Sequence, residues 1–266
     1  MKIQSSLSEF TLPFPGRGER TVRVFVPEHE EGELLPVIYM TDGQNLFEDD
    51  RPGQFGCWYT REAISEERRL SGKAAMIVGI HNDTGARERT NELTPGEIGE
   101  VVIPPDIAEE PDQVIIPEGE LFDAFVVNVV MPAVEARFPV KKGRSGTAFC
   151  GSSSGGLQSF YTVLSHPDKF CAAGVFSPAF VLYAAEDIVR WTASKLCENA
   201  PYLYFYSGSG DHLESRIFES TEAVYDALIE FYPPECLNEI ILPEEPHHEK
   251  AWSEVFRDFL HTFLAR

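Results

Sequence analysis

What the 266-residue chain lacks narrows the field first. No run approaches 18 consecutive apolar residues, which excludes a membrane-spanning helix. The opening Met1-Lys2-Ile3-Gln4-Ser5-Ser6 also lacks the apolar core of a secretory leader, so a cytoplasmic location is expected. Disulfide chemistry is poorly supplied: Cys57, Cys150, Cys171, Cys197 and Cys236 are odd in number, scattered, and form no C-x-x-C pair. They read as reduced thiols and not as a disulfide frame or a metal site. Basic residues are scarce, with 22 Lys and Arg against 43 Asp and Glu and a formal charge of −21. A surface so negative repels phosphate backbones and anionic lipid, which argues against nucleic acid or a membrane as partner.

What is present is enough apolar material for a large core, 43% of residues. One stretch organises the rest: Gly146-Thr147-Ala148-Phe149-Cys150-Gly151-Ser152-Ser153-Ser154-Gly155-Gly156. It contains Gly-x-Ser-x-Gly in a single register, Gly151, Ser153 and Gly155. A Ser/Gly run alone is most often a plain loop, and here the flanks decide otherwise. Thr147 to Cys150 suit a buried strand, while Leu157, Phe160, Tyr161 and Leu164 fall at i, i+3, i+4 and i+7 on one helical face. A sharp strand-to-helix turn would lift the Ser153 oxygen out at the sheet edge, and glycine on either side permits the close approach of strand and helix. The N–H of Ser154, at the helix start, would point where an oxyanion forms, reinforced by the helix dipole.

Along the chain, Ile3 to Phe14 and Thr21 to Val26 read as an antiparallel pair around the turn Pro15 to Glu19. Pro36-Val37-Ile38-Tyr39-Met40 is a central strand that stops in Thr41-Asp42-Gly43-Gln44-Asn45-Leu46-Phe47. In an open α/β sheet, ligands sit against the loop leaving the carboxyl end of a strand. The backbone N–H of Gln44 could be a second oxyanion donor there; alternatively the segment is a turn that uses Gly43 for positive φ. A helix over Thr60 to Leu70 and a strand over Ala74 to Ile80 follow. Between Glu97 and Glu120 lie eight acids (Glu97, Glu100, Asp106, Glu109, Glu110, Asp112, Glu118, Glu120), four prolines and no Lys or Arg. Such a stretch is a long loop, either a cover for the site or simply mobile.

Leu121 to Arg137 reads as a helix that Pro132 should kink. Strands over Phe170 to Phe176, Tyr202 to Tyr206 and Glu239 to Leu242 alternate with helices over Glu186 to Leu196, Leu213 to Phe231 and around Trp252 to Phe263. Alternation of this kind gives an α/β fold with a mostly parallel sheet, helices on both faces and an antiparallel pair at the N-terminus. With no repeat and no linker, residues 1–266 read as one domain carrying the insertion at about 97–120. The sequence carries no signal for an oligomeric state.

If Ser153 is a nucleophile, an acid and then a histidine should follow it, each on a loop after a strand. Asp211 leaves the strand Tyr202 to Tyr206 directly, whereas Glu186 and Asp187 look like the acidic first turn of a helix. His212 adjoins the candidate acid, and His261 sits within the last helix. That leaves His247 and His248, between the last strand and the last helix, and either ring could serve as base. As a metal site the pair is poor, because no further cluster has ligand spacing.

Together these segments resemble the esterase D-like branch of the α/β-hydrolases, which includes siderophore, feruloyl and acetyl-xylan esterases. The resemblance rests on Leu35 to Phe47, Val78 to Ile80, Arg87 to Pro95, Cys150 to Gly156, Phe176 to Pro178, Gly208 to Asp211 and His247 to Trp252. It implies an α/β-hydrolase fold with no cofactor and no metal, and a histidine five positions before a tryptophan, which favours His247. By the same resemblance Asp211 completes the triad, and the backbones of Gln44 and Ser154 form the oxyanion pair. Arg89 lies in a segment near the family's site and, with Trp58, is a candidate for substrate binding; Arg89 could equally pair with Glu92. The function expected is a serine carboxylic-ester hydrolase acting through an acyl-enzyme on a small-molecule or glycan-linked ester. The alternatives are an acyltransferase on the same fold and a binding protein that no longer turns over.

Overall fold

The structure, a computed structural model, describes all residues except 48–55, 84, 109, 111 and 112. Among the described residues there are ten strands: β1 (Lys2–Ile3), β2 (Ser6–Phe14), β3 (Gly18–Val26), β4 (His29–Glu30), β5 (Val37–Met40), β6 (Met76–Ile80), β7 (Thr147–Ser152), β8 (Ala172–Phe176), β9 (Tyr202–Gly208) and β10 (Leu237–Leu242). Eight of them form one sheet in the order β10-β9-β8-β7-β5-β6-β3-β2, while β1 and β4 pair separately. From β10 through β6 neighbouring strands run parallel; β3 is antiparallel to both β6 and β2.

The reason lies in the strand sequences. Every residue of β5, β6, β7, β8 and β9 is buried, as expected of strands covered by helices on both faces, whereas β2 at the edge alternates. Side chains one residue apart on a strand enter opposite layers. Thus Val37 and Tyr39 join a core with Leu157, Phe160 and Phe205, and Ile38 and Met40 join another with Phe256 and Phe259. The helices that close these layers are α1 (Thr60–Ser71), α2 (Ala86–Glu92), α3 (Gly119–Phe125), α4 (Met131–Arg137), α5 (Ser154–Ser165), α6 (Ala185–Lys195), α7 (His212–Leu228) and α8 (Glu249–Ala265).

Two local features refine the sequence reading. The helix expected over Leu121 to Arg137 is interrupted by a π turn, Val126–Val130, in which the N–H of Met131 bonds back to the carbonyl of Val126. Pro132 follows in the first turn of α4 and has no N–H to give, so the backbone widens ahead of it. Helix α2 went unforeseen, since Ala86-Arg87-Glu88-Arg89-Thr90-Asn91-Glu92 carries no apolar periodicity.

The acidic stretch is a loop, as its composition demands, and it is anchored. The N–H of Val102 bonds the carbonyl of Leu182 at 2.9 Å, that of Ile116 bonds Asn91 Oδ1 at 2.9 Å, and Asp106 pairs with Arg216 at 2.8 Å. Two of its eight acids, Glu109 and Asp112, lie outside the described residues.

Candidate active site

Ser153 stands in the turn between β7 and α5 with φ 59° and ψ −127°, a region that side chains other than glycine's rarely enter. The strain therefore sits on the serine itself. The surrounding glycines serve a different need, close approach. A Cβ at Gly155 would lie 2.1 Å from Thr41 Oγ1, one at Gly151 2.5 Å from the carbonyl oxygen of Gly155, and one at Gly156 2.5 Å from that of Phe176. Hydrogen bonds hold the turn: Ser153 N–H donates to the carbonyl of Phe176 at 3.0 Å, and Ala179 N–H donates to that of Ser153 at 3.1 Å. Ser154 opens α5, where backbone N–H groups have no partner inside the helix and the dipole is positive.

Across the elbow lies the loop after β5. Its left-handed residue is Asp42 (φ 54°, ψ 41°). Gly43, the alternative source of a positive φ, does not supply one; a Cβ there would come 2.5 Å from the carbonyl carbon of Gly79. The short 3-10 turn Gly43–Asn45 that follows presents the backbone of Gln44, whose side chain bonds Asn82 Oδ1. Both Gln44 and Ser154 border one cleft of about 800 Å³ together with Ser153 and His247.

His247 is held by two carboxylates in different ways. Its ring Nδ1 lies 2.5 Å from Glu214 Oε2, while its backbone N–H donates to Asp211 Oδ2 at 2.8 Å. Asp211, the expected ring partner, instead caps α7 by accepting from Glu214 N–H at 2.8 Å and clamps the histidine loop. The physical reason is position. Asp211 is exposed at the helix start, and Glu214, three residues on, faces inward with a fully buried side chain. Burial works against ionisation of Asp211, yet the two backbone donors, from Glu214 and His247, outweigh it and hold the carboxyl below its ordinary range.

Glu214 is fully engaged. Its Oε1 accepts from Ser177 Oγ at 2.6 Å and from Gly208 N–H at 2.7 Å, and Ser177 Oγ accepts in turn from Trp252 Nε1 at 2.8 Å. A buried carboxylate with both oxygens bonded can fix the imidazole tautomer. The indole of Trp252 meets the His247 ring edge-on at 5.0 Å. A signal for Glu214 did exist in the sequence: with Ile217, Thr221, Val224 and Leu228 it lies on the buried face of α7, an anomalous place for a charge. His248, the other candidate base, caps α8, its Nδ1 accepting from Ala251 N–H at 3.4 Å.

The two suggested substrate-binding residues are structurally committed. Arg89 does not pair with Glu92, which bonds Arg20 instead; its Nε and one Nη grip Asp42 at 2.6 and 2.8 Å, and that Nη also reaches the carbonyl of Ser152 at 3.3 Å. Arg89 therefore ties α2 to the Gln44 loop and to the elbow. Trp58 borders the cleft but is 2% exposed, stacked on Phe176 at 5.4 Å and packed against Trp252 at 5.9 Å. Among the described residues there is no group of three or more His, Cys, Asp or Glu able to hold a metal, and no helix long and apolar enough to cross a membrane.

A family model described as "Putative esterase" matches residues 17–204, well over half of the chain. The chain belongs to that family and is an esterase. Solved structures agree on the fold at low identity. A siderophore hydrolase, EstA from Aspergillus nidulans, is 20% identical with a TM-score of 0.75, covering 96% of this chain and 94% of that one. A ferulic acid esterase is 15% identical with a TM-score of 0.69, covering 98% of each. The enterobactin esterase of Shigella flexneri is 16% identical with a TM-score of 0.68, and 97% of this esterase spans 59% of it. By sequence, an ATP-dependent RNA helicase of Ajellomyces capsulatus is 30% identical over 162 residues, so this esterase spans 30% of the length of the curated relative it matches. The esterase has no Gly-x-x-x-x-Gly-Lys-Ser/Thr sequence, the phosphate cradle of P-loop ATPases.

Proposed function

We propose that the protein is a serine carboxylic-ester hydrolase working through Ser153, His247 and Glu214. Ser153 Oγ attacks the ester carbonyl as His247 Nε2 takes its proton, and the backbone N–H groups of Gln44 and Ser154 receive the oxyanion. The imidazolium returns the proton to the departing alcohol, leaving an acyl group on Ser153. Water then repeats the sequence with His247 as base, so that one ester and one water become one acid and one alcohol. Glu214 holds Nδ1–H throughout and stabilises the imidazolium, and Asp211 keeps the His247 loop docked on α7.

The observation that carries this reading is the 2.5 Å contact between His247 Nδ1 and the buried Glu214 carboxylate. With Nδ1 engaged, Nε2 is the ring nitrogen that remains to take a proton, and His247 lines the same cleft as the strained Ser153. Substrates are small-molecule or glycan-linked carboxylic esters, in a cleft whose volume suits a ligand of drug-like size. The test is labelling by a fluorophosphonate probe with intact-mass detection. Wild type and Asp211→Asn should be labelled, whereas Ser153→Ala should not and His247→Ala should react orders of magnitude more slowly; labelling at another residue would replace Ser153 as nucleophile.

A further inference from the structure

The cleft is divided by chemistry, and the division bears on which esters it takes. One wall is apolar. Ile103, Ile107 and Ile115 of the acidic loop line it together with Val181, Leu213 and Ile217, which belong to the segment after β8 and to α7. The loop turns its apolar residues inward by alternation: Ile103 and Ile115 line the cleft, while their neighbours Val102, Val114 and Ile116 are exposed. This wall is fixed in place by the Val102, Ile116 and Asp106 anchors on three separate parts of the fold.

Another part of the lining is polar and negative. Asp42, Asp83 and Glu249 line it, and Arg89 is the cleft's one Lys or Arg among the described residues. That guanidinium is already spent on Asp42 through two hydrogen bonds. What faces a ligand is thus an excess of carboxylate, with Asn45 steadying Glu249 by a hydrogen bond of 3.1 Å. Burial first, and Asp42 close by, raise the Glu249 carboxyl above its ordinary range against the opposing pull of Arg89 and His247.

We propose that the cleft selects esters with one apolar arm, of medium length or branched, and a second arm that is uncharged or cationic, and that it rejects esters with an anionic arm. This rests on the hydrolase reading above. Apolar surface removed from water on the isoleucine wall supplies transition-state binding for the first arm. The low-dielectric cleft focuses the field of Asp83 and Glu249 on the second, with a net charge of −21 behind it.

Four esters decide it: acetylcholine, hexanoylcholine, the monohexanoyl ester of ethylene glycol and the hexanoyl ester of 2-hydroxyethanesulfonate, with kcat/KM measured at low salt. Hexanoylcholine should exceed acetylcholine by about 10- to 100-fold. It should exceed the sulfonate by ~10-fold or more, with the uncharged glycol ester also above the sulfonate, and the gap should shrink in ~0.5 M salt. Glu249→Gln should cut the choline-to-sulfonate ratio about threefold, and Ile107→Asp should cut the hexanoyl-to-acetyl ratio. Equal or faster turnover of the sulfonate overturns the charge selection, and equal or faster turnover of the acetyl ester overturns the apolar wall's role. Enzyme labelled at Ser153 by fluorophosphonate but showing either of those reversals sinks this proposal alone; enzyme neither labelled nor active on any of the four sinks the hydrolase reading with it.

Discussion

Nδ1 of His247 lies 2.5 Å from a carboxylate oxygen of Glu214, a residue with no exposed side-chain surface, while Asp211 three residues earlier touches only the backbone of the same histidine. The two acids should therefore separate in kinetics. Glu214→Gln keeps the shape but offers the ring an amide and no charge, and kcat should fall about 10³- to 10⁴-fold. Asp211→Asn should cost only ~10-fold, because it loosens a loop and leaves the imidazolium's partner in place. Steady-state kinetics of both variants, with circular dichroism to confirm folding, make the comparison; equal losses would return the acid's role to Asp211.

The backbone strain at Ser153 predicts a conflict between stability and turnover. At φ 59° and ψ −127°, alanine keeps the strain and glycine relieves it. Ser153→Gly should be more stable than Ser153→Ala by about 1 kcal/mol, after the backbone entropy that glycine loses on folding is subtracted. Both should be catalytically dead. Chemical denaturation of the pair measures the difference.

Arg89 and Asp42 form a largely buried ion pair that joins α2 to the loop of Gln44. Arg89→Met leaves Asp42 unpaired and should destabilise the fold by about 3 kcal/mol. Catalysis should suffer mainly in kcat, since the oxyanion donor on Gln44 is displaced while the apolar wall remains. Asp42→Asn in the same background should recover part of the stability, which a double-mutant cycle would read out.

Gly155→Ala should be among the most damaging small substitutions, since its Cβ would sit 2.1 Å from Thr41 Oγ1 and 3.1 Å from Asp42 Oδ2. A loss of about 3 kcal/mol or more is expected. Thr41→Ala removes the hydroxyl and should rescue part of it. At Gly151 the same rescue should fail, because there the carbonyl oxygen of Gly155 lies equally close, at 2.5 Å. Thermal melts of the two single and two double variants give the answer.

Glu239 on β10 gives a pH prediction away from the site. Burial, with Glu222 and Asp226 near it, pushes its carboxyl up to about 7. A pKa raised on folding means that the native state holds the proton more tightly than the unfolded chain. Its stabilising contribution is full below about 4.5 and is lost as pH rises through about 7. Glu239→Gln should therefore be more stable than wild type at pH 8, by roughly 1 kcal/mol once solvent screening is allowed for, and the gap should close by about pH 4.5. Melting temperatures across that range check the sign.

Much of this molecule is written in local patterns. Buried strands such as β5 and β8 are continuous apolar runs because both faces of the sheet are covered, and α5 is legible from Leu157, Phe160, Tyr161 and Leu164 at helical spacing, although the fold buries it on every side from Ser154 to Leu164. Ser153 was legible for the same reason: a strand, a glycine-flanked serine and a helix are contiguous. His247 needed more, the likeness to a family, since a loop histidine has no periodicity. Helix α2 was not legible, because its residues are polar and their helical state depends on Arg89 reaching Asp42 and Arg20 reaching Glu92.

The sequence alone determined the alternation of strands and helices, the elbow and the excess of acid, all consequences of residues close together in the chain. Which carboxylate meets the imidazole was decided only by tertiary structure. Asp211 and Glu214 differ by three positions, less than one helical turn, and the choice between them depends on how α7 is rotated against β9. That rotation is set by Ile217, Val224 and Leu228 packing into the core, and it carries Glu214 under Ser177 and His247 while leaving Asp211 at the surface to hold the loop.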